Sequence, residues 1–98
     1  MSNQIHIVAK MTALPEKVEE VKELLLSLVE QTRKEEGCIS YQLLQNQADP
    51  TLFTFLEVWT NQQAIDAHFA TPYIQGALAK MPALAAGPPD IRKYTLLK

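Results

Sequence analysis

The stretch TLFTFLEVWTNQQAIDAHFAT, residues 51–71, decides the fold. Its first nine residues form a strand pattern. At a spacing of two, Phe53, Phe55, Glu57 and Trp59 share one face, and Leu52, Leu56 and Val58 share the other. Asn61 then suits an N-cap, and Ala64, Ile65, His68 and Phe69 fall on one side of the helix it opens. The segment therefore reads as a strand followed by a helix. It carries three large rings, one acid and one imidazole, a combination suited to gripping a flat organic molecule and moving a proton.

Upstream, Gln4 to Ala13 alternates as a strand, with Ile5, Ile7, Ala9 and Met11 on one side. Leu14-Pro15-Glu16 opens a helix, because a proline at the first helical position gives up an N–H that has no partner there. Val18, Val21, Leu24, Leu25, Leu28 and Val29 supply its apolar stripe, and its charged face is a solvated surface. Gly37 ends this segment in a left-handed conformation. Cys38 to Gln47 is a second strand, with Ile39, Tyr41 and Leu43 expected on one face. Ala48-Asp49-Pro50 is a turn. Downstream, Thr71-Pro72 restarts a helix through Ile74, Leu78 and Met81. Pro82 to Asp90, rich in proline, alanine and glycine, reads as a loop and a candidate lid, and Ile91 to Leu97 as the last strand.

The order is strand, helix, strand, then strand, helix, strand. That is the ferredoxin-like α+β sandwich, a four-stranded antiparallel sheet with its helices on one face, expected as one domain over residues 1–98. Helices on one side cannot cover both apolar faces of residues 52–59. Val8 and the Tyr94/Leu96 side of the last strand extend the uncovered one. Since a bare apolar sheet face is unusual on a monomer, a second copy is expected to cover it, giving a homodimer through the sheet face.

Composition narrows the function. With 98 residues, 47% hydrophobic and 20% charged, the chain has the balance of an ordinary globular protein. A net charge of −2 supplies no basic patch, so nucleic acid is not an expected partner. No apolar run approaches the length of a membrane span, and the N-terminus lacks the apolar core of a signal peptide. One cysteine fits a reducing compartment, and a cytoplasmic location is expected. Two histidines without cysteine or carboxylate at ligand spacing argue against a metal site.

Glu36-Gly37-Cys38 followed by Tyr41, then Phe53, Glu57-Val58-Trp59, His68 and Thr71-Pro72-Tyr73, resembles the antibiotic biosynthesis monooxygenase (ABM) domain family over nearly the whole chain. The resemblance implies a dimeric α+β barrel with a pocket between helices and sheet in each subunit. It implies one of three activities: cofactor-independent oxidation of quinols or anthrones, haem degradation, or isomerisation of phosphorylated autoinducer-2. Haem degraders are associated with an asparagine on the first strand. Gln4 to Ala13 has none, and Asn3 lies at or before its start. The isomerase would want a phosphate site. No glycine-rich phosphate loop is present, and Arg92-Lys93 is the only adjacent basic pair outside the first helix, although the His68-x-x-Thr71-Pro72-Tyr73 spelling also resembles that branch.

Glu57 is the sharpest candidate. A carboxylate among rings costs several kcal/mol unless it is paired or neutral. Two readings stand: a general base whose pKa burial raises, or a structural ion pair or hydrogen bond to His68. His68 is the candidate relay. Trp59, Phe55 and Phe53 are core residues that become a substrate clamp if a cavity opens beside them. Tyr41 and Tyr73 are candidates to orient a phenol or ketone, with a cap-and-packing role as the alternative for Tyr73. His6 should face the dimer side or solvent, and Cys38 reads as a small buried hydrophobe. The expected activity is therefore a monooxygenase without a cofactor, acting on a small electron-rich aromatic with O2. An isomerase using the same acid and base, or a dimeric binder without turnover, are the alternatives.

Overall fold

The alternation over residues 52–59 becomes a strand in the middle of the sheet. A computed structural model describes residues 4–98, so Asn3 lies outside the described residues. The elements are β1 (Ile5–Thr12), a short 3₁₀ turn (Pro15–Lys17), α1 (Val18–Arg33), β2 (Cys38–Gln45), β3 (Leu52–Trp59), α2 (Gln62–Phe69), α3 (Pro72–Leu84) and β4 (Asp90–Tyr94). The four strands pair antiparallel in the order β2-β3-β1-β4. This is the ferredoxin-like arrangement anticipated from the element order.

Register places the core. Phe53, Phe55, Glu57 and Trp59 lie opposite Met11, Ala9, Ile7 and Ile5 of β1, and all of β3's four are buried. Over them lie Val21, Leu25, Leu28 and Val29 of α1, Ile65 of α2, and Ile74, Ala77 and Met81 of α3. Each large apolar side chain so buried contributes about 1.5–3 kcal/mol. The other face of β3 is uncovered: Leu56 is 37% exposed, and across β1 the ring of Tyr94, opposite His6, is 49% exposed.

Local chemistry sets the boundaries. Asn61 caps α2 by accepting a hydrogen bond from the Ala64 amide at 2.8 Å. Thr71 makes no such bond to α3. Its hydroxyl donates back to the His68 carbonyl at 2.7 Å and ties the two helices at their junction. Gly37 adopts φ +88°, and a Cβ there would stand 2.5 Å from the Ala64 Cβ. The left-handed backbone and the close approach of α2 both demand glycine.

Three expectations are corrected. Ile39 does not share the face of Tyr41: a bulge between Cys38 and Ser40 adds a residue, so Cys38 and Tyr41 both turn inward while Ile39 is 48% exposed. The helix after Thr71 runs to Leu84 with Pro82 inside it. A proline that near the end forfeits one hydrogen bond, and the turn is retained by the Ala85 amide donating to Met81 at 2.8 Å. The connection to β4 is consequently shorter than a loop over residues 82–90, and its start is pinned. Leu14 donates to Leu84, and Ala86 to Thr12, at 2.9 and 2.8 Å. Finally, β4 ends at Tyr94 rather than Leu97.

Candidate active site

Between the covered sheet face and the helices lies a hollow. Its floor is Ala9, Met11, Tyr41, Phe55, Glu57 and Ile91, and its roof includes Leu28, His68, Phe69, Ala77 and Met81. The closed part of this space is about 50 Å³, room for a few waters and not for an aromatic ring without movement. Leu78, Met81 and Pro89 also wall an outer recess of about 380 Å³ that includes Gly87 and Pro88. The inner hollow thus opens toward the end of α3 and the short turn behind it.

Glu57 reaches the hollow because the pleat of β3 turns it to the same side as Phe55 and Trp59. Its Oε1 accepts a hydrogen bond from the Trp59 indole Nε1–H at 2.9 Å. Burial pushes its carboxyl up to about 7, against the opposing pull of the Trp59 bond and with the help of the Glu35 charge. Trp59, with no exposure, is not a wall of the hollow. It stands behind the acid and holds it. Phe53 is likewise buried and away from the hollow, whereas Phe55 lines it.

Tyr41 lies directly across from Glu57 on β2. Its ring stacks on Phe55 at 4.7 Å and meets the His68 ring edge-on at 5.7 Å. Burial, and after it the Glu57 charge, drive its phenol far above the ordinary tyrosine value, so it stays protonated. Thr32 lies near enough to Tyr41 to favour its ionised form, yet the Thr32 hydroxyl has no partner in hydrogen-bond geometry. The Arg33 guanidinium donates to the Tyr41 carbonyl at 3.0 Å and clasps α1 to β2.

His68 is buried, tilted against the Trp59 ring at 4.7 Å, and lines the hollow. Its hydrogen-bond partner is not Glu57. Nδ1 sits 2.9 and 3.1 Å from the two oxygens of Glu35. The Tyr73 hydroxyl donates to the same carboxylate and does not line the hollow. The pairing of His68 with Glu57 is corrected accordingly: the two share a hollow without a hydrogen bond between them. Sequence reasoning missed Glu35, which follows α1 in a run of charged residues and reads as surface. Its separation from His68 is 33 positions, so no local pattern links them.

The remaining candidates scatter. His6 faces the uncovered side, opposite Val58 and Tyr94, with its Nε2 buried and unpaired among the described residues. Cys38 is half-buried on the Trp59 side, and burial with Glu35 and Glu57 pushes its thiol up to about 11. Arg92 and Lys93 alternate to opposite faces, bonded to Asp90 and Gln62 respectively, so they form no joint cationic site. Among the described residues no cluster of three metal-ligating side chains occurs, and no helix is long and apolar enough to cross a membrane.

Comparison with known proteins bears on the family and the fold. Residues 4–80 match the profile of the antibiotic biosynthesis monooxygenase family. A Synechocystis protein, sll1783, is 40% identical over 82 residues; these are 84% of this chain but 56% of that protein, so the chain spans little more than half its length. The Bacillus subtilis protein YcnE, provisionally named a monooxygenase, is 35% identical over 84% of this chain and 86% of its own. The solved structure of PA3566 from Pseudomonas aeruginosa superposes with a TM-score of 0.94 at 30% identity, covering 100% of this chain and 98% of that one. With the sheet order, the pocket and these matches together, the chain belongs to the antibiotic biosynthesis monooxygenase family.

Proposed function

We propose that this protein is a monooxygenase that works without a cofactor on a small, uncharged, electron-rich aromatic: a phenol, a quinol or an anthrone-like ketone. One observation carries the reading. Glu57 stands at the wall of an apolar hollow with its carboxyl raised to about 7, so near neutral pH it exists in both acid and base forms. Its Oε1 is engaged by Trp59, which fixes the carboxyl plane and leaves Oε2 to meet a substrate proton.

For an anthrone-like Ar2CH2 the sequence balances as Ar2CH2 + O2 → Ar2C=O + H2O. Glu57 removes a proton from the acidic CH2. The carbanion gives one electron to O2, and the radical and superoxide combine to form a C–O bond. Glu57 returns the proton to the peroxide. Loss of the second C–H proton, with cleavage of O–O, releases water and leaves the ketone. The protein supplies a base of matched pKa and a site that excludes bulk water. Because the present hollow admits only waters, substrate entry displaces the flexible side chains of Leu78 and Met81 at the mouth.

The isomerase alternative is less well supported. Among the described residues no lysine or arginine lines the hollow to meet a phosphate. A homodimer through the uncovered sheet face remains part of the proposal, supported by Leu56 and Tyr94 on that side. Oxygen uptake with an anthrone or quinol, corrected for spontaneous oxidation, tests the reading. The rate should rise with pH and reach half its limit near 7, as Glu57 becomes its base form. In Glu57→Gln it should fall about 100-fold or more. Equal turnover under nitrogen, or an unaffected Glu57→Gln, would refute it.

A further inference from the structure

Glu35 is a buried-edge carboxylate that the proton transfer described above does not use. Its side chain is 13% exposed and that of His68 is 2% exposed. Both carboxylate oxygens lie within 3.1 Å of His68 Nδ1, and the Tyr73 hydroxyl approaches the same group from α3. Three elements therefore converge on it: the turn after α1, the last turn of α2, and the first turn of α3.

An ionised carboxylate only accepts hydrogen bonds, so the nitrogen it faces carries the proton. Nδ1–H fixes the neutral imidazole as one tautomer and leaves Nε2 with a bare lone pair. No described residue donates to or accepts from Nε2. Tyr73 donates to the carboxylate, and burial, that hydrogen bond and the Glu35 charge push its phenol up to about 12. It thereby restrains the carboxylate that restrains the imidazole. Bonds of this kind commonly set ring orientation and basicity in histidine sites.

We propose that Glu35, braced by Tyr73, is a positioning residue that fixes His68 as its Nδ1–H tautomer, so that Nε2 is a second proton acceptor in the hollow beside Glu57. The acceptor role rests on the oxygenase reading; the tautomer does not.

The test separates the two. In the ¹⁵N NMR spectrum of the ligand-free protein at mildly alkaline pH, the His68 ring nitrogens report which one is protonated. The wild type should show Nδ1–H. Glu35→Leu should return the ring to Nε2–H, the form that an unconstrained histidine side chain prefers, with a fold retained by circular dichroism. Nε2–H in the wild type would overturn the proposal without recourse to any variant. An Nδ1–H signal unchanged in Glu35→Leu would overturn it too. In the oxygen-uptake assay, Glu35→Leu should lower kcat about 10- to 100-fold with KM little changed, and Tyr73→Phe about 3-fold, in line with the loss of one neutral donor. Adding Glu35→Leu to His68→Ala should cost nothing further; full additivity would count against a joint role. If no variant and no wild type consumes oxygen, the oxygenase reading fails, and the tautomer alone decides the place of Glu35.

Discussion

The two faces of β3 are built from one stretch of eight residues and have opposite fates. Phe53, Phe55, Glu57 and Trp59 are buried, while Leu52, Thr54 and Val58 are half-buried and Leu56 is exposed. Both faces are apolar enough to form a core. What separates them is the helical layer that only one receives. Ionisable groups with displaced pKa values, Glu57 and Tyr41, lie under that layer. The uncovered face carries His6 instead, with a nitrogen still lacking a partner. Coverage rather than residue type separates the buried face from the open one.

The contrast breaks most decisively at Trp59. Trp59→Ala removes a side chain with no exposure and the donor on Glu57, and should cost about 3–5 kcal/mol, read as a lower urea midpoint. A loss below about 1 kcal/mol would mean that the covered face is not the core.

Glu57 sharpens the comparison through pH. Burial pushes its folded carboxyl up to about 7, above the ordinary glutamate value of 4.5. Below 4.5 both folded and unfolded forms are protonated and no penalty exists. Between 4.5 and 7 the unfolded chain releases its proton while the folded one holds it. Stability therefore falls across that window by about 3 kcal/mol and levels off above 7. Glu57→Gln should abolish this fall and be the more stable protein at pH 8 by chemical denaturation. An equal slope in both proteins would assign the effect elsewhere.

Gly37→Ala probes how tightly α2 closes over the covered face. Positive φ and the Ala64 methyl at 2.5 Å should make it cost about 1–3 kcal/mol in thermal unfolding. A neutral result would show that the turn and α2 separate readily. The smallest effect on protomer stability is expected on the bare side. Leu56→Glu should change it by less than about 0.5 kcal/mol. By sedimentation at micromolar concentration, however, it should turn a dimer into a monomer. A dimer that survives would move the interface off that face.

Much of this was legible because strand parity is a strict code. Residues 52–59 announce both faces, and Gly37 and Asn61 announce a turn and a cap through local chemistry alone. Three features were not. The bulge at Ile39 resets parity without any glycine to mark it. Pro82 reads as a breaker, although a helix tolerates it in its final turns. Glu35 looks like one more solvated charge until the chain folds and brings α2 and α3 against it. Local signals survive in sequence; a contact made by tertiary closure leaves none there. That is why Glu57, Trp59 and His68 were visible in the strand and helix pattern while Glu35, the partner of His68, was not.

The extra residue at Ile39 has a bearing on solubility. It lies on β2, an outermost strand, where unpaired amides and carbonyls would otherwise template the addition of a foreign strand. The kink spoils that template. At the opposite border β4 is five residues long, follows Pro88-Pro89, and presents Arg92 and Lys93. Both borders are thus blunted against the runaway fibril-like growth that an exposed strand edge invites.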